Sequence, residues 1–457
     1  MESHPFTRFL GVICYLTVIL YLIELFYPST MLELTYSLLC AILLACAFLY
    51  LSRITRFIVF TLLAAGSICL YAEDISFNES MIGFGKNTNL LSLFLLIPLI
   101  GTFMSTAGYL SALKEKVQAW EKKGAYHPYR FSYFLTATIG ILLNFGSMAI
   151  VKRIAAESFS SYRDKKITLN IMRGFGFGML WSPYFVNIGL VLVLFELSWF
   201  DIGGYAFILA VIYIFFCWLS FRSISFPDDP IVEYEPKSKN YSYHQSLVPF
   251  FFFSLILITL SFLLDYLLEV NMLTVVSFLA ILLPLVWAVF TKIIKNYLYD
   301  VSQHMQLSFN RLKNELAVFI SAGFFGMAIS KTAFGSIVSN LLFDASFGSI
   351  FFLSLIIVTL AIALGQIGVH PVIIVIGIGS SLSPEKFGVS PEYMALLLII
   401  AWTTATQMSP FSGQLLMTSR LMNQPPSVII KQNYTFALSL AVILTTTIYS
   451  FLVMGLL

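Results

Sequence analysis

Polar and glycine residues set into long apolar runs are the groups of this 457-residue chain best suited to handling a solute, and they come in two matching sets. Leu180-Trp-Ser-Pro-Tyr-Phe185 carries Ser182, Pro183 and Tyr184, with Asn187 just beyond. Gln407-Met-Ser-Pro-Phe-Ser412 carries Gln407, Ser409, Pro410 and Ser412, with Thr406 before and Gln414 after. Each proline removes a backbone donor and frees a carbonyl one turn upstream. A freed carbonyl is suited to a cation, and the start of the next half-helix is suited to an anion. Upstream of each break lies a second interruption: Asn144, Gly146 and Ser147 in the first half, Gln366, Gly368, His370 and Pro371 in the second. Glycine allows backbone to approach a ligand, and the amides, the hydroxyl and the imidazole supply hydrogen bonds. The glycines are 222 residues apart and the serines 227, about half the chain. A kinked helix or tight packing explains any one of these segments. Their duplication favours a binding role, because unwound backbone at membrane depth is tolerated where it is buried or lines a cavity.

Two cations lie inside apolar runs. Arg173 sits in Ile-Met-Arg-Gly-Phe-Gly and Lys331 in Ala-Ile-Ser-Lys-Thr-Ala. A charge at membrane depth costs about 2.5–3.5 kcal/mol on insertion scales, so its default reading is functional. Arg173 is close enough to the start of its segment to snorkel toward the cytoplasmic face. Lys331 reads as mid-segment, without an acidic partner, and predicts a small anionic solute. No carboxylate reads as mid-membrane within the repeats, which argues against an Asp/Glu proton relay. His370 is a candidate for binding solute or proton.

These sites must be positioned by membrane helices. Residues are 59% hydrophobic and 11% charged, and mean hydropathy is +0.88, a balance foreign to soluble domains. The first apolar run is long enough to span and lacks a cleavage site, so no signal peptide is expected. The five cysteines fall in apolar runs without disulfide or metal-ligand spacing; no cofactor or metal is expected. Eleven spans are expected near 9–27, 30–51, 56–72, 88–112, 166–195, 203–221, 246–268, 272–291, 315–340, 393–419 and 434–456. Two further apolar stretches, 128–160 and 349–382, are expected to be re-entrant hairpins. Basic clusters flank 128–160 on both sides, and a hairpin keeps both inside. With the N-terminus inside, this arrangement places 22 of the 26 basic residues inside.

The expected fold is therefore an all-α polytopic membrane protein with inverted-topology repeats: about 11 transmembrane helices plus two re-entrant hairpins. Residues 1–29 form a leading helix, 30–221 repeat 1, 222–245 a cytoplasmic linker and 246–457 repeat 2. Each repeat has five crossings, an odd number, so the second is inverted.

This order resembles the ion transporter superfamily, which includes divalent anion–sodium symporters, citrate–metal symporters, arsenite pumps and the large membrane subunits of TRAP transporters. The likeness covers roughly 30–456. Thr406-Gln-Met-Ser-Pro-Phe-Ser-Gly413 resembles the Pro-containing loop of their second repeat, and Gly323-Phe-Phe-Gly-Met-Ala-Ile-Ser330 the helix before their second hairpin. The Ser-Asn-Thr tip motif of the dicarboxylate carriers is absent from both hairpins. The resemblance implies an elevator-type secondary transporter coupled to sodium or protons, in a bacterial cytoplasmic (inner) membrane. The expected partners are a small anionic solute and the lipid bilayer, with a homodimer allowed and no nucleic acid. The competing classes are a membrane-embedded glycan or lipid-processing enzyme and a channel. Outside loops are short and poor in catalytic groups, which disfavours the enzyme.

Overall fold

Pro183 and Pro410 each end a helix that the surrounding apolar sequence would otherwise continue, and the fold is arranged around those two breaks. The structure, a computed structural model, describes residues 5–121, 127–233, 246–268, 270–380, 382 and 384–457. Lys122, Lys123, Lys237, Lys239 and Glu269, which enter the charge alternation, lie outside the described residues.

The first half opens with α1 (Pro5–Glu24), α2 (Thr30–Tyr50), α3 (Arg53–Ala72), the short α4 (Phe77–Ile82) and α5 (Thr88–Thr106). An amphipathic helix, α6 (Tyr109–Glu121), leads to a helix–turn–helix hairpin of α7 (Pro128–Leu143) and α8 (Gly146–Ser158). A broken helix follows, α9 (Asp164–Trp181) and α10 (Val186–Leu194), then α11 (Trp199–Ser220). The second half shows the same succession from its amphipathic helix onward. It runs α12 (Val248–Leu267), α13 (Met272–Phe290), α14 (Ile294–Ser330), the amphipathic α15 (Phe334–Ala345) and a hairpin of α16 (Ile350–Gln366) and α17 (Pro371–Gly379). The broken pair α18 (Pro391–Met408) and α19 (Gly413–Met422) then precedes α20 (Pro426–Val453). Between α15 and α16 the chain turns by 112°.

Among the described residues, eleven helices or near-continuous helix pairs are long and apolar enough to cross a membrane. Ten agree with the expected spans to within about a dozen residues at either end. The eleventh differs: α14 begins at Ile294 and ends at Ser330, where the sequence reading placed 315–340. Its 37 residues give a length of about 55 Å, well beyond a hydrocarbon core of about 30 Å.

Local chemistry sets the other boundaries. Ser390 and Ser412 cap α18 and α19 by accepting from Tyr393 N and Leu415 N, each at 3.1 Å. Ser198 and Asp201 form a capping box on α11. Asp229 accepts from Lys165 N and Lys166 N at 2.7 and 3.0 Å, and so caps α9 from the linker. A two-stranded ribbon of β1 (Ser161–Arg163) and β2 (Ile231–Glu233) pins the linker there. The linker is thus partly structured, contrary to its reading as a plain polar connection.

Packing sorts the helices into two groups. The helices α1, α2, α3, α5, α13 and α14 pack on one another, and α7–α9 and α11 pack with α16, α18, α19 and α20. They meet where α17 crosses α14 and where α7 and α10 lie against α5. The broken helices are central: every residue from Ile167 to Leu180 and from Tyr393 to Met408 is buried. Outward faces of α3, α11 and α12 expose Phe57, Phe60, Phe207, Phe215, Phe251 and Phe252, which is a surface for lipid.

Candidate functional site

Each proline break leaves a carbonyl without its helical donor, four residues upstream. For Pro183 that carbonyl is Met179 O, and Asn187 Nδ2 donates to it at 2.6 Å. For Pro410 it is Thr406 O, and Ser412 Oγ donates to it at 2.5 Å. Both freed carbonyls therefore already hold one donor, which leaves each a single remaining lone pair. The same device serves both breaks: a polar side chain from just beyond the gap reaches back and replaces the missing N–H. Ser182 and Ser409 play a second matching part. Each Oγ accepts from the backbone N–H two residues on, Tyr184 N at 3.4 Å and Phe411 N at 3.3 Å.

The hairpin tips are built differently. Asn144 holds φ 48° and ψ −136°, and its Oδ1 accepts from Phe145 N at 2.9 Å. Ser147 is buried and donates to Asn144 O at 2.7 Å. At the second tip Gly368 holds φ +109°, a conformation that L side chains rarely adopt. A Cβ there would also press on the Phe411 ring at 3.3 Å. His370 caps α17: its Nδ1 accepts from Val372 N at 3.3 Å. The tips approach the second break closely, since a Cβ on Gly413 would lie 3.1 Å from the Phe145 ring.

A cavity of about 60 Å³ lies between tips and breaks, with room for roughly four waters. Its wall takes Asn144 and Phe145 from the first tip and His370 and Val372 from the second. Phe185, Val186 and Asn187 come from the first break, and Thr406, Ser412, Gly413 and Gln414 from the second. Phe94, Phe175, Phe319 and Trp402 supply aromatic faces, and Glu315 supplies a carboxylate. The starts of four helices, α8, α10, α17 and α19, are thus brought to one wall. Helix starts carry partial positive charge; α8 and α10 begin with no side-chain cap, and backbone carbonyls take Ser147 N and Met148 N of α8 and Ile188 N and Gly189 N of α10. Gln414 is buried; its Nε2 donates to Met172 O at 2.9 Å, and its Oε1 has no partner.

A second cavity of about 610 Å³ shares Phe94, Asn144 and Phe145 with the first. It runs past Gly146 and Ser105 to Lys114 and Arg153. Phe94, Asn144 and Phe145 separate this vestibule from the small cavity.

Not every expected site residue reaches the cavity. Asn144, Asn187, His370, Thr406, Ser412 and Gln414 do, and Gly146 lines the vestibule. Ser147, Ser182, Pro183, Gly368, Ser409 and Pro410 shape the tips and breaks without lining it. Gln366 is exposed, away from the cavity. Tyr184 OH pairs with Ser261 Oγ at 2.7 Å. Gln407 belongs to a network behind the breaks, contacting Tyr213 OH and Asn433 Nδ2, each at 3.4 Å.

Arg173 lies in that network and does not snorkel. It is 2% exposed, its Nε donates to Asn433 Oδ1 at 3.0 Å, and its guanidinium sits 3.8 Å from the Phe436 ring centroid. Lys331 is also corrected. It follows the last residue of α14, is half exposed, and pairs with Glu79 at 2.8 Å. The anion expectation loses that support.

Glu315 was missed. By hydropathy it reads as the cytoplasmic edge of a span, because twelve of the preceding 21 residues of α14 are polar or charged, Lys295, Asp300, His304, Arg311 and Lys313 among them. The wall aromatics gave no signal above the general abundance of phenylalanine, 44 residues of the chain.

No family model matches the chain, and no curated protein matches it significantly. Eighteen chains of solved structure do match. One is the YdaH transporter of Alcanivorax borkumensis, whose crystal structure is described as revealing an unusual topology. It is similar over 80% of this chain and 86% of that one, with a TM-score of 0.57 and 12% identity. At that identity the likeness is one of fold: this chain is an all-helical, multi-pass integral membrane protein with the fold of a membrane transporter.

Proposed function

We propose that the chain is a secondary active transporter that moves a small anionic solute across the cytoplasmic membrane. The observation that carries this reading is the convergence of four helix starts, two from each half, on one cavity that adjoins a vestibule across Phe94, Asn144 and Phe145. Each start contributes up to about half an elementary charge of positive potential, which suits an anion without any fixed cation. The solute sits between the tips and the breaks, and the two halves are inverted repeats. Hairpins and broken helices move together as an elevator against the group formed by α1–α3, α5, α13 and α14.

Orientation follows from charge, with the N-terminus inside. Lys114 and Arg153 then mark the vestibule mouth as cytoplasmic, so the conformation is inward-facing. The re-entrant reading of the first hairpin is supported by contacts between its two ends. Lys114 of α6 pairs with Glu157 of α8, Gln118 Nε2 donates to Glu157 O at 2.9 Å, and Tyr129 OH accepts from Arg163 N at 2.8 Å. The coupling ion is sodium or a proton. The repeat order keeps the ion transporter superfamily as the family reading.

Purified protein in liposomes, offered a panel of radiolabelled small anions, tests this. A transporter gives uptake of one anion that saturates and is accelerated by the same anion on the far side. Flux that stays linear with concentration and shows no such acceleration indicates a channel.

A further inference from the structure

We propose that Glu315 is the proton-binding group of the central cavity, which makes the proton the coupling ion of the transport reading above. Its role in coupling rests on that reading; its protonation does not. Glu315 Oε2 is buried without a hydrogen-bond partner in the wall of the cavity that receives both tips and both breaks. Among the described residues of that wall, the ionisable side chains are Glu315 and His370.

No side chain forms an ion pair with Glu315 among the described residues. On α14 the nearby charges are Arg311 and Lys313, with His304 further along in the vestibule. Across the cavity α17 presents His370, and α19 brings Arg420, whose charge reaches Glu315 electrostatically. The start of α3 brings Arg53 and Arg56, and Arg56 is engaged with the carbonyls of Leu49 and Leu51. The acidic and basic groups of α1, α2 and α15 are Arg8, Glu24, Glu33 and Asp344, and α5 and α13 carry none. Among the described residues, no cation lies within ion-pair distance of Glu315. An ionised carboxylate held this way is costly, so it takes up a proton or a cation.

His370 is the weaker carrier. Its Nδ1 accepts from Val372 N, so the neutral ring holds its proton on Nε2. A second proton on Nδ1 would remove that cap and put positive charge at the start of α17.

Coupling follows from competition for the helix starts. Ionised, Glu315 is the negative charge that the four N-termini face. Once it is protonated, those N-termini are left to the anion. Proton binding and anion binding then favour one another, and by linkage each raises the affinity for the other.

The test is infrared difference spectroscopy of the full-length protein in lipid nanodiscs, from about pH 4 to pH 9, where burial commonly tunes carboxyl groups. The expected result is a carboxylic-acid C=O band that titrates in this range, is missing from Glu315→Gln, and is the same in sodium and choline buffers. No difference between wild type and variant at any pH overturns the proposal. A band abolished by sodium at constant pH also overturns it and makes sodium the ligand. Should the variant fold poorly, ¹³C-glutamate labelling of the wild type separates glutamate from aspartate bands, and a spectrum without a titrating glutamic-acid band overturns the proposal equally. Failure to transport any anion would instead fail the functional reading while leaving the band in place.

Discussion

Asn187 and Ser412 do at each break what a backbone N–H does elsewhere in the helix. Each supplies the donor that proline lacks, to Met179 O and to Thr406 O. Asn187→Ala and Ser412→Ala should each leave a buried carbonyl short of a partner, at a cost of about 1–3 kcal/mol. Thermal melting should fall in both, and anion uptake should fall with it because both residues line the cavity. Melting equal to wild type would mean that water replaces the lost donor. Arg173 gives a contrasting case. Its planar fork reaches Asn433 and lies on Phe436, geometry that an ammonium does not reproduce. Arg173→Lys should lower the melting temperature while leaving the apparent KM for the anion within about twofold, since a structural loss of this kind adds no differential binding. A selective rise in KM would instead make Arg173 a solute contact. Lys331→Gln breaks an exposed pair with Glu79 and should change stability by less than about 1 kcal/mol.

At the scale of elements, the hairpins depend on a few backbone positions. Gly368→Ala forces a side chain onto φ +109° and against Phe411, so it should destabilise by about 1–3 kcal/mol and impair transport. Melting and uptake of the variant together check this. The first hairpin is also tied at its base by Glu157, whose carboxyl is held below its usual range first by Lys114 and then by Arg153. A depressed folded value means that the stabilisation is complete above the ordinary value of 4.5 and is lost as pH falls through the folded value. Glu157→Gln should therefore melt lower than wild type at neutral pH, with the difference closing in acid below about pH 4.5. A gap that persists in acid would show that the pair contributes through packing.

These elements were legible in the sequence to very different degrees. The breaks and tips showed themselves because proline, glycine and amides are conspicuous in apolar runs and recur at half the chain length. The α14 helix was not legible. Its polar first half reads as a loop by hydropathy, although it continues as helix alongside α1, α2 and α3. Shifting that one segment toward the N-terminus moves Lys331 from mid-span to the end and brings Glu315 from the end to the cavity. Those two residues changed roles through a single misplaced boundary. The side-chain caps on Met179 O and Thr406 O were also hidden, because sequence spacing locates a freed carbonyl but not its new donor.

For the whole molecule, the proposed transport requires the central cavity to open to each side in turn, and Gly146 is placed to report it. It lies at the first tip in the vestibule, and a Cβ there meets nothing within 4 Å. A cysteine has room at such a position, and the five natural cysteines are buried or half-buried. The decisive measurement is the rate at which Gly146→Cys reacts with a membrane-impermeant maleimide in vesicles of both orientations, with and without the transported anion. Alternating access at this site requires reaction from the cytoplasmic face and also from the outside, with the anion slowing both. A cysteine that reacts from one face only, at a rate the anion leaves unchanged, would contradict a solute site at the tips and breaks.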